Sequence, residues 1–131
     1  MKRITKELIK IYKPLDICWL GYKLTPSNAT YHHILKKEYG GKEIISNGAL
    51  LAENAHKYLH IIEYKEIEIY HALNEMLKII NKQGHAPTQE QYRIINCLFL
   101  MFEEKHIKDK TSKNKILIKH QYLEREIRHL K

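Results

Sequence analysis

Apolar side chains recur every three or four positions along much of this chain, and that spacing is typical of helices with one buried face. The pattern predicts helices over residues 4–12, 67–80 and 92–102. The third of these follows Thr88-Gln89-Glu90-Gln91, which has the form of a capping box. A last segment, residues 116–130, repeats the spacing among basic residues. The chain is therefore expected to be mostly helical.

One stretch near the middle of the chain departs from helical spacing. Residues 29–35 and 43–46 are the candidate strands of a hairpin, and the loop between them contains Gly40-Gly41. After a further turn, a helix is expected to begin near Glu53. A hairpin followed by a helix, with further helices on both sides, predicts an α+β fold.

The composition fits one domain spanning residues 1–131, because 44% of the residues are hydrophobic. The formal net charge is +8, and the positive charge is concentrated in residues 1–42 and 110–131. This distribution favours a polyanionic partner. The alternative is that the lysines only keep the surface solvated.

Nothing in the sequence indicates export or membrane insertion. No apolar region of a signal peptide follows the N-terminal residues, and the longest apolar run, residues 97–102, is too short to span a bilayer. Cys18 and Cys97 are far apart and do not form a disulfide framework. We expect a cytoplasmic protein without membrane contact, and we expect both thiols to be inert core groups.

Four histidines and one asparagine stand at spacings that suit a metal site. His32 and His33 are adjacent, Asn47 follows His33 by 14 residues, His56 follows Asn47 by 9, and His60 follows His56 by 4. Two histidines four residues apart on a helix lie on one face and can bind one ion. Taken alone such a pair has little weight, because the chain contains 9 histidines. The combination with the doublet and the asparagine is what favours a metal site.

Together with the Gly40-Gly41 loop, these residues resemble the motif of the HNH endonucleases, a family with a ββα-metal fold. The resemblance covers residues 29–64, and residues 65–131 would be a helical extension that ends in a basic segment. It implies a metal-dependent nuclease in which His33 is the general base and Asn47 holds the loop that presents it. The metal ligands that it implies are His32, His56 and His60.

One departure from the family's sequence pattern limits the resemblance to one branch of the family. Many members have cysteines at the positions of Ala52 and Ala55 and use them in a structural zinc site with four thiolates. This chain has 2 cysteines in all, so a four-cysteine site is excluded. The implied catalytic residues are unaffected, and the resemblance is to the colicin-type branch with three histidine ligands.

The resemblance implies hydrolysis of phosphodiester bonds in DNA with one divalent metal ion, which could be zinc, nickel, manganese or magnesium. It also implies a phage or another mobile element as the source. Two alternatives stay open. The first is a binding protein on the same scaffold, such as an inhibitor of a host or CRISPR nuclease that contacts another protein through its C-terminal helices. The second is a nucleic-acid-binding module with a structural metal.

Strand and helix geometry raise two further points about the site. Adjacent residues of a regular strand point to opposite faces, so we expect a bend or bulge that turns His32 and His33 towards one site. Glu63 follows His60 by three residues on one helix face. Glu63 either accepts a hydrogen bond from His60 or is a solvated charge, and we favour the solvated charge.

Overall fold

The computed structural model describes residues 2–13 and 15–106, and it confirms a mostly helical α+β fold. The predicted basic helix of residues 116–130 lies outside the described residues. None of the helices within the described ranges is long and apolar enough to cross a membrane. The elements in chain order are α1 (Arg3–Ile11), β1 (Ala29–His33), β2 (Gly48–Ala52), α2 (Glu53–Lys65), α3 (Ile67–Gln83) and α4 (Gln89–His106), with short 3₁₀ turns at Lys37–Tyr39 and Ile45–Asn47.

The two strands pair in an antiparallel hairpin that runs from Ala29 opposite Ala52 to His33 opposite Gly48. The prediction of a second strand at residues 43–46 is wrong, because that part of the chain leads into a 3₁₀ turn and β2 begins only at Gly48. Every residue of β2 is buried. A strand that is buried on both faces has no alternation of polar and apolar residues, so its sequence pattern does not distinguish it from the start of a helix.

The loop between the strands depends on its two glycines. Gly40 has a φ of 88°, a left-handed conformation that side chains disfavour. The amide of Gly41 donates to the Lys36 carbonyl at 2.9 Å. A Cβ at Gly41 would lie 1.8 Å from the carbonyl oxygen of Leu35, so no larger residue fits without moving the backbone. The conformation of the loop after β1 therefore requires glycine at position 41 and favours it at position 40.

The core is formed around β2, which contacts α1, α2 and α3. The irregular segment before β1 completes it, because the amide of Trp19 donates to the carbonyl of Leu50 at 3.1 Å and the Trp19 ring is fully buried. α2 contributes the buried stripe Ala55, Leu59 and Ile62. This packing sets the rotation of α2, so the helix face that carries the histidines is turned towards the hairpin.

α3 is fastened to the hairpin by the side-chain amides of two asparagines. Asn81 donates to the carbonyls of Ile45 and Gly48, both at 2.7 Å, and Asn74 donates to the carbonyl of Ile34 at 2.8 Å. These bonds attach α3 to backbone carbonyls at and beside the end of the two-stranded sheet. They also place one polar face of α3 beside the histidines.

The capping box before α4 is confirmed. The Thr88 hydroxyl accepts from the Gln91 amide at 3.2 Å, and the Gln91 side chain accepts from the Thr88 amide at 2.8 Å.

Two predictions about the burial of single residues are wrong. Ile67, the first residue of the apolar spacing that predicts the helix over residues 67–80 and its buried face, is 48% exposed, and Cys97, expected to be a core thiol, is exposed on α4. The apolar stripe of each helix is narrower than its content of apolar residues indicates.

Candidate metal centre

Three histidines meet between the hairpin and α2. His32 comes from β1, and His56 and His60 come from successive turns of α2. One ring nitrogen from each lies within 4.8 Å of the others, which is close enough to hold a single metal ion. Nδ1 of His32 lies 3.3 Å from Nε2 of His56. The predicted convergence of these three side chains is confirmed.

Each of the three rings has a hydrogen-bond partner for the nitrogen that is turned away from the cluster. Such partners fix the orientation and tautomer of histidines that bind metal. The contacts are His32 Nε2 to Asn74 Oδ1 at 2.9 Å, His56 Nδ1 to Thr30 Oγ1 at 3.0 Å, and His60 Nδ1 to Glu63 Oε1 at 3.0 Å.

The partners determine which nitrogens carry protons. The Thr30 hydroxyl donates its only proton to the Leu51 carbonyl at 2.8 Å, so its oxygen accepts from Nδ1–H of His56. The amide nitrogen of Asn74 donates to a backbone carbonyl, so its oxygen accepts from Nε2–H of His32. The nitrogens that face each other, Nδ1 of His32 and Nε2 of His56, therefore both carry lone pairs.

Two facing lone pairs repel each other and are stabilised by a cation placed between them. The pKa of His32 and the pKa of His56 are both lowered to about 4. Burial is the largest cause of the lowering in each case. Both rings are thus neutral near neutral pH, which is the state that binds metal. Three imidazoles on one side of an open cavity are a donor set that suits zinc and other transition ions.

Glu63 is not the solvated charge that we favoured from the sequence. Its carboxylate accepts from His60 and forms an ion pair with Lys36, and its side chain is only 16% exposed. Burial raises the pKa of Glu63, but the hydrogen bonds from Lys36 and His60 outweigh that effect and hold the pKa below its usual value. Glu63 therefore remains a carboxylate that orients His60 and links the centre to Lys36.

His33 and the three-histidine cluster line the same cavity. This cavity has a volume of about 560 Å³. The predicted bend or bulge is absent, because the pairing of β1 is regular through His33. His33 is the last residue of its strand, and the cavity extends around that end. Its ring packs edge-on against Tyr31, with ring centres 4.9 Å apart. Within the described part of the chain, the His33 ring forms no hydrogen bond, and the residue lines the cavity.

Asn47 stands where the resemblance places a residue that holds the loop. Its side-chain oxygen accepts from the Leu35 amide at 2.7 Å, and its side-chain nitrogen donates to the carbonyls of Leu35 and Lys42, both at 3.0 Å. The Asn47 carbonyl also accepts from the Ile34 amide at 2.9 Å. Asn47 thus ties both ends of the loop together directly after His33.

Several side chains at the centre were not identified from the sequence. Asn74 and Thr30 hold two of the three rings, and Tyr70 lines the cavity from α3. Thr30 lies two residues before His32 on the same strand face, which is a local signal. Asn74 and Tyr70 have no local signal, because they reach the centre only through the packing of α3 on the hairpin.

Comparison of this chain with protein-family models, with curated proteins and with solved structures found no match. The functional argument therefore depends on the geometry of the centre itself.

Proposed function

We propose that the protein is a metal-dependent endonuclease of the HNH type that hydrolyses phosphodiester bonds in DNA. The observation that carries this proposal is the arrangement at the cavity. Three imidazoles converge there, and His33 lines the same cavity, its ring without a hydrogen bond in the described part of the chain. A purely structural metal site has no need of a fourth, unliganded histidine. The spacing of these residues, with Asn47, supports the same reading.

His32, His56 and His60 would hold one divalent cation through the nitrogens that face one another. Imidazole ligands favour zinc, nickel or another transition ion over magnesium, which prefers oxygen ligands. When bound, the cation would supply Lewis-acid stabilisation of the negative charge that develops on the phosphate and on the leaving oxygen. The partners of the outer nitrogens keep the three rings in position, so little reorganisation is needed on binding.

His33 would act as the general base that removes a proton from the attacking water. An imidazole suits this role because its usual pKa lies near neutral pH. The edge-on contact with Tyr31 limits rotation of the His33 ring, and the bonds made by Asn47 hold the backbone that follows it. The base is thus presented from a rigid strand end.

The substrate would be a polyanion. Lys36 and Lys37 line the cavity beside the histidines, and the chain has a formal net charge of +8. Positive side chains near the metal centre stabilise a bound phosphate and raise the rate of encounter with nucleic acid.

A cleavage assay on supercoiled plasmid tests the proposal. We expect His33→Ala to retain metal and DNA affinity and to keep at most about a hundredth of the cleavage rate, since general-base catalysis is worth about 10²- to 10⁴-fold. His56→Ala should lose the metal as measured by elemental analysis. His85→Ala, which replaces an exposed histidine outside the centre, should behave like the wild type.

Two outcomes would count against the proposal. A His33→Ala variant that cleaves at the wild-type rate would remove the assigned base. A wild-type protein that binds metal and DNA but cleaves neither strand with any divalent ion would indicate a binding protein on this scaffold.

A further inference from the structure

A second cavity adjoins the metal centre and is not used by the chemistry described above. It is a groove of about 680 Å³ between α3 and the loop that follows β1. Lys36 and Tyr70 line both this groove and the cavity of the histidines. A ligand of sufficient length can therefore extend from the metal centre into the groove without leaving the surface.

One wall of the groove is a polar stripe of α3. Asn74, Lys78 and Lys82 succeed one another at four-residue spacing, so they lie along one face that leads away from His32. Lys78 and Lys82 are exposed and, among the described residues, neither forms an ion pair. Of the acids in the groove, Glu63 is paired with Lys36, and Glu75 is exposed. The two lysines are thus available to an anion.

The opposite wall is apolar and aromatic although it faces solvent. Tyr39 is 73% exposed and Leu35 is 51% exposed, and both line the groove. Their loop is held by the 3₁₀ turn at Lys37–Tyr39 and by the hydrogen bonds from Asn47 to Leu35. An exposed tyrosine on a fixed loop is a surface on which a planar ring can stack.

A buried tyrosine lines both cavities. Tyr70 is 2% exposed, and its hydroxyl has no hydrogen-bond partner among the described residues. Leaving a buried hydroxyl without a partner costs free energy, so this group is suited to a ligand that accepts its proton. Lys36, which forms an ion pair with Glu63, lies over the Tyr70 ring with Nζ 5.9 Å from the ring centre, so a cation lies beside this tyrosine.

We propose that this groove binds an unpaired nucleic-acid strand next to the phosphate at the metal centre, with a base stacked on Tyr39 and backbone phosphates on Lys78, Lys82 and the Tyr70 hydroxyl. The proposal rests on the proposed nuclease function, because that function places one phosphate of the strand at the metal centre. Phosphate-binding cations on one wall and an exposed aromatic ring on the other match the two chemical parts of a single strand. A duplex presents its bases edge-on inside the grooves, so it offers no base face to Tyr39.

The test measures binding of a fluorescein-labelled single strand of about 12 nucleotides, within the usual span of a single-strand site. The His33→Ala protein is used throughout, so that a bound strand is not cut. Tyr39→Ala should weaken single-strand binding by about 5- to 100-fold, the usual effect of removing one stacking side chain. Lys78→Gln with Lys82→Gln should lower the slope of log affinity against log salt by about 1.4. Tyr70→Phe should weaken binding by about 3- to 10-fold.

Matched controls separate the groove from the surface as a whole. Tyr64 is 90% exposed on α2 and does not line the groove, so Tyr64→Ala should leave binding unchanged. Lys6 and Lys10 are a second exposed pair at four-residue spacing on α1, and replacing both by glutamine should leave most of the salt dependence intact. Circular dichroism of every variant checks that the fold is retained.

Three results would overturn the proposal. The first is equal loss of single-strand and duplex affinity in Tyr39→Ala, which would assign the groove to a duplex. The second is unchanged single-strand affinity in Tyr39→Ala and in the Lys78 and Lys82 variant. The third is absence of single-strand binding by the His33→Ala protein. Failure of the nuclease proposal alone gives a different result. In that case the groove variants still bind the single strand more weakly, but the wild type does not cleave DNA.

Discussion

Replacing His32 by glutamine in the metal-free protein should flatten the dependence of its stability on pH. His32 is almost completely buried, and burial lowers the pKa of its imidazole from 6.5 to about 4. Because the pKa is lower in the folded state, the unfolded chain binds more protons between these two values. The contribution of His32 is therefore complete above about pH 6.5 and is lost as the pH falls towards about 4.

The expected size follows from the pKa difference. Each pKa unit corresponds to about 1.4 kcal/mol, so the whole window holds roughly 3 kcal/mol of unfolding free energy. About 2 kcal/mol of this should be lost between about pH 7 and about pH 5. The pKa of His56 is lowered in the same direction, mainly by burial, and its contribution is present in both proteins. The difference between wild type and variant therefore isolates His32.

Urea unfolding of the chelator-treated proteins at about pH 7 and about pH 5, followed by circular dichroism, measures this difference. The wild type should lose about 2 kcal/mol more than His32→Gln. Equal losses in the two proteins would mean that His32 titrates alike in the folded and unfolded chain, and the account of a buried neutral imidazole would be refuted. His85→Ala, outside the centre, should retain the wild-type pH dependence.

Substitutions at three further positions separate the supports of the centre from the core. Asn74→Leu removes the hydrogen-bond acceptor for His32 and should lower zinc affinity by about 10- to 100-fold, as measured by calorimetry. Asn74→Asp should restore much of this affinity. Equal zinc affinities for Asn74→Leu and the wild type would contradict the role of Asn74. Asn47→Ala removes three side-chain hydrogen bonds and should lower the free energy of unfolding by about 2–3 kcal/mol in urea titrations, and a loss below about 0.5 kcal/mol would show that the loop closes without it. Leu77, on α3, is fully buried in the core, and Leu77→Ala should lower the free energy of unfolding by about 2–5 kcal/mol in the same titrations without changing the zinc stoichiometry. An altered stoichiometry would mean that the core and the metal centre are coupled.

The exposed thiol on α4 offers a simple check of which cysteine lies in the core. Cys97 is exposed and Cys18 is fully buried, so a thiol reagent should modify Cys97 in the folded protein and leave Cys18 unreacted until unfolding. Mass spectrometry after limited labelling distinguishes the two. Modification of both cysteines at similar rates under native conditions would contradict the placement of Cys18 in the core.

The sequence by itself determined the features that depend on short stretches of backbone. The capping box at Thr88 and Gln91 is one example, because its two bonds join residues three apart. The shared face of His56 and His60 is another, since helix geometry alone places residues four apart side by side. The turn at Gly40-Gly41 also follows locally from its left-handed φ and its close backbone contact.

Only the tertiary structure decided what surrounds these features. The second strand was misplaced because a fully buried strand such as β2 lacks the alternation by which sequence indicates strands. Asn74 lies 42 residues from His32, and a polar residue on an amphipathic helix gives no sign of which distant ring it will meet. The charge of Glu63 was read as solvated because its partner Lys36 belongs to another part of the chain. Local periodicity fixes which face of a helix is polar, whereas the packing of α2 and α3 on the hairpin decides which polar groups come into contact.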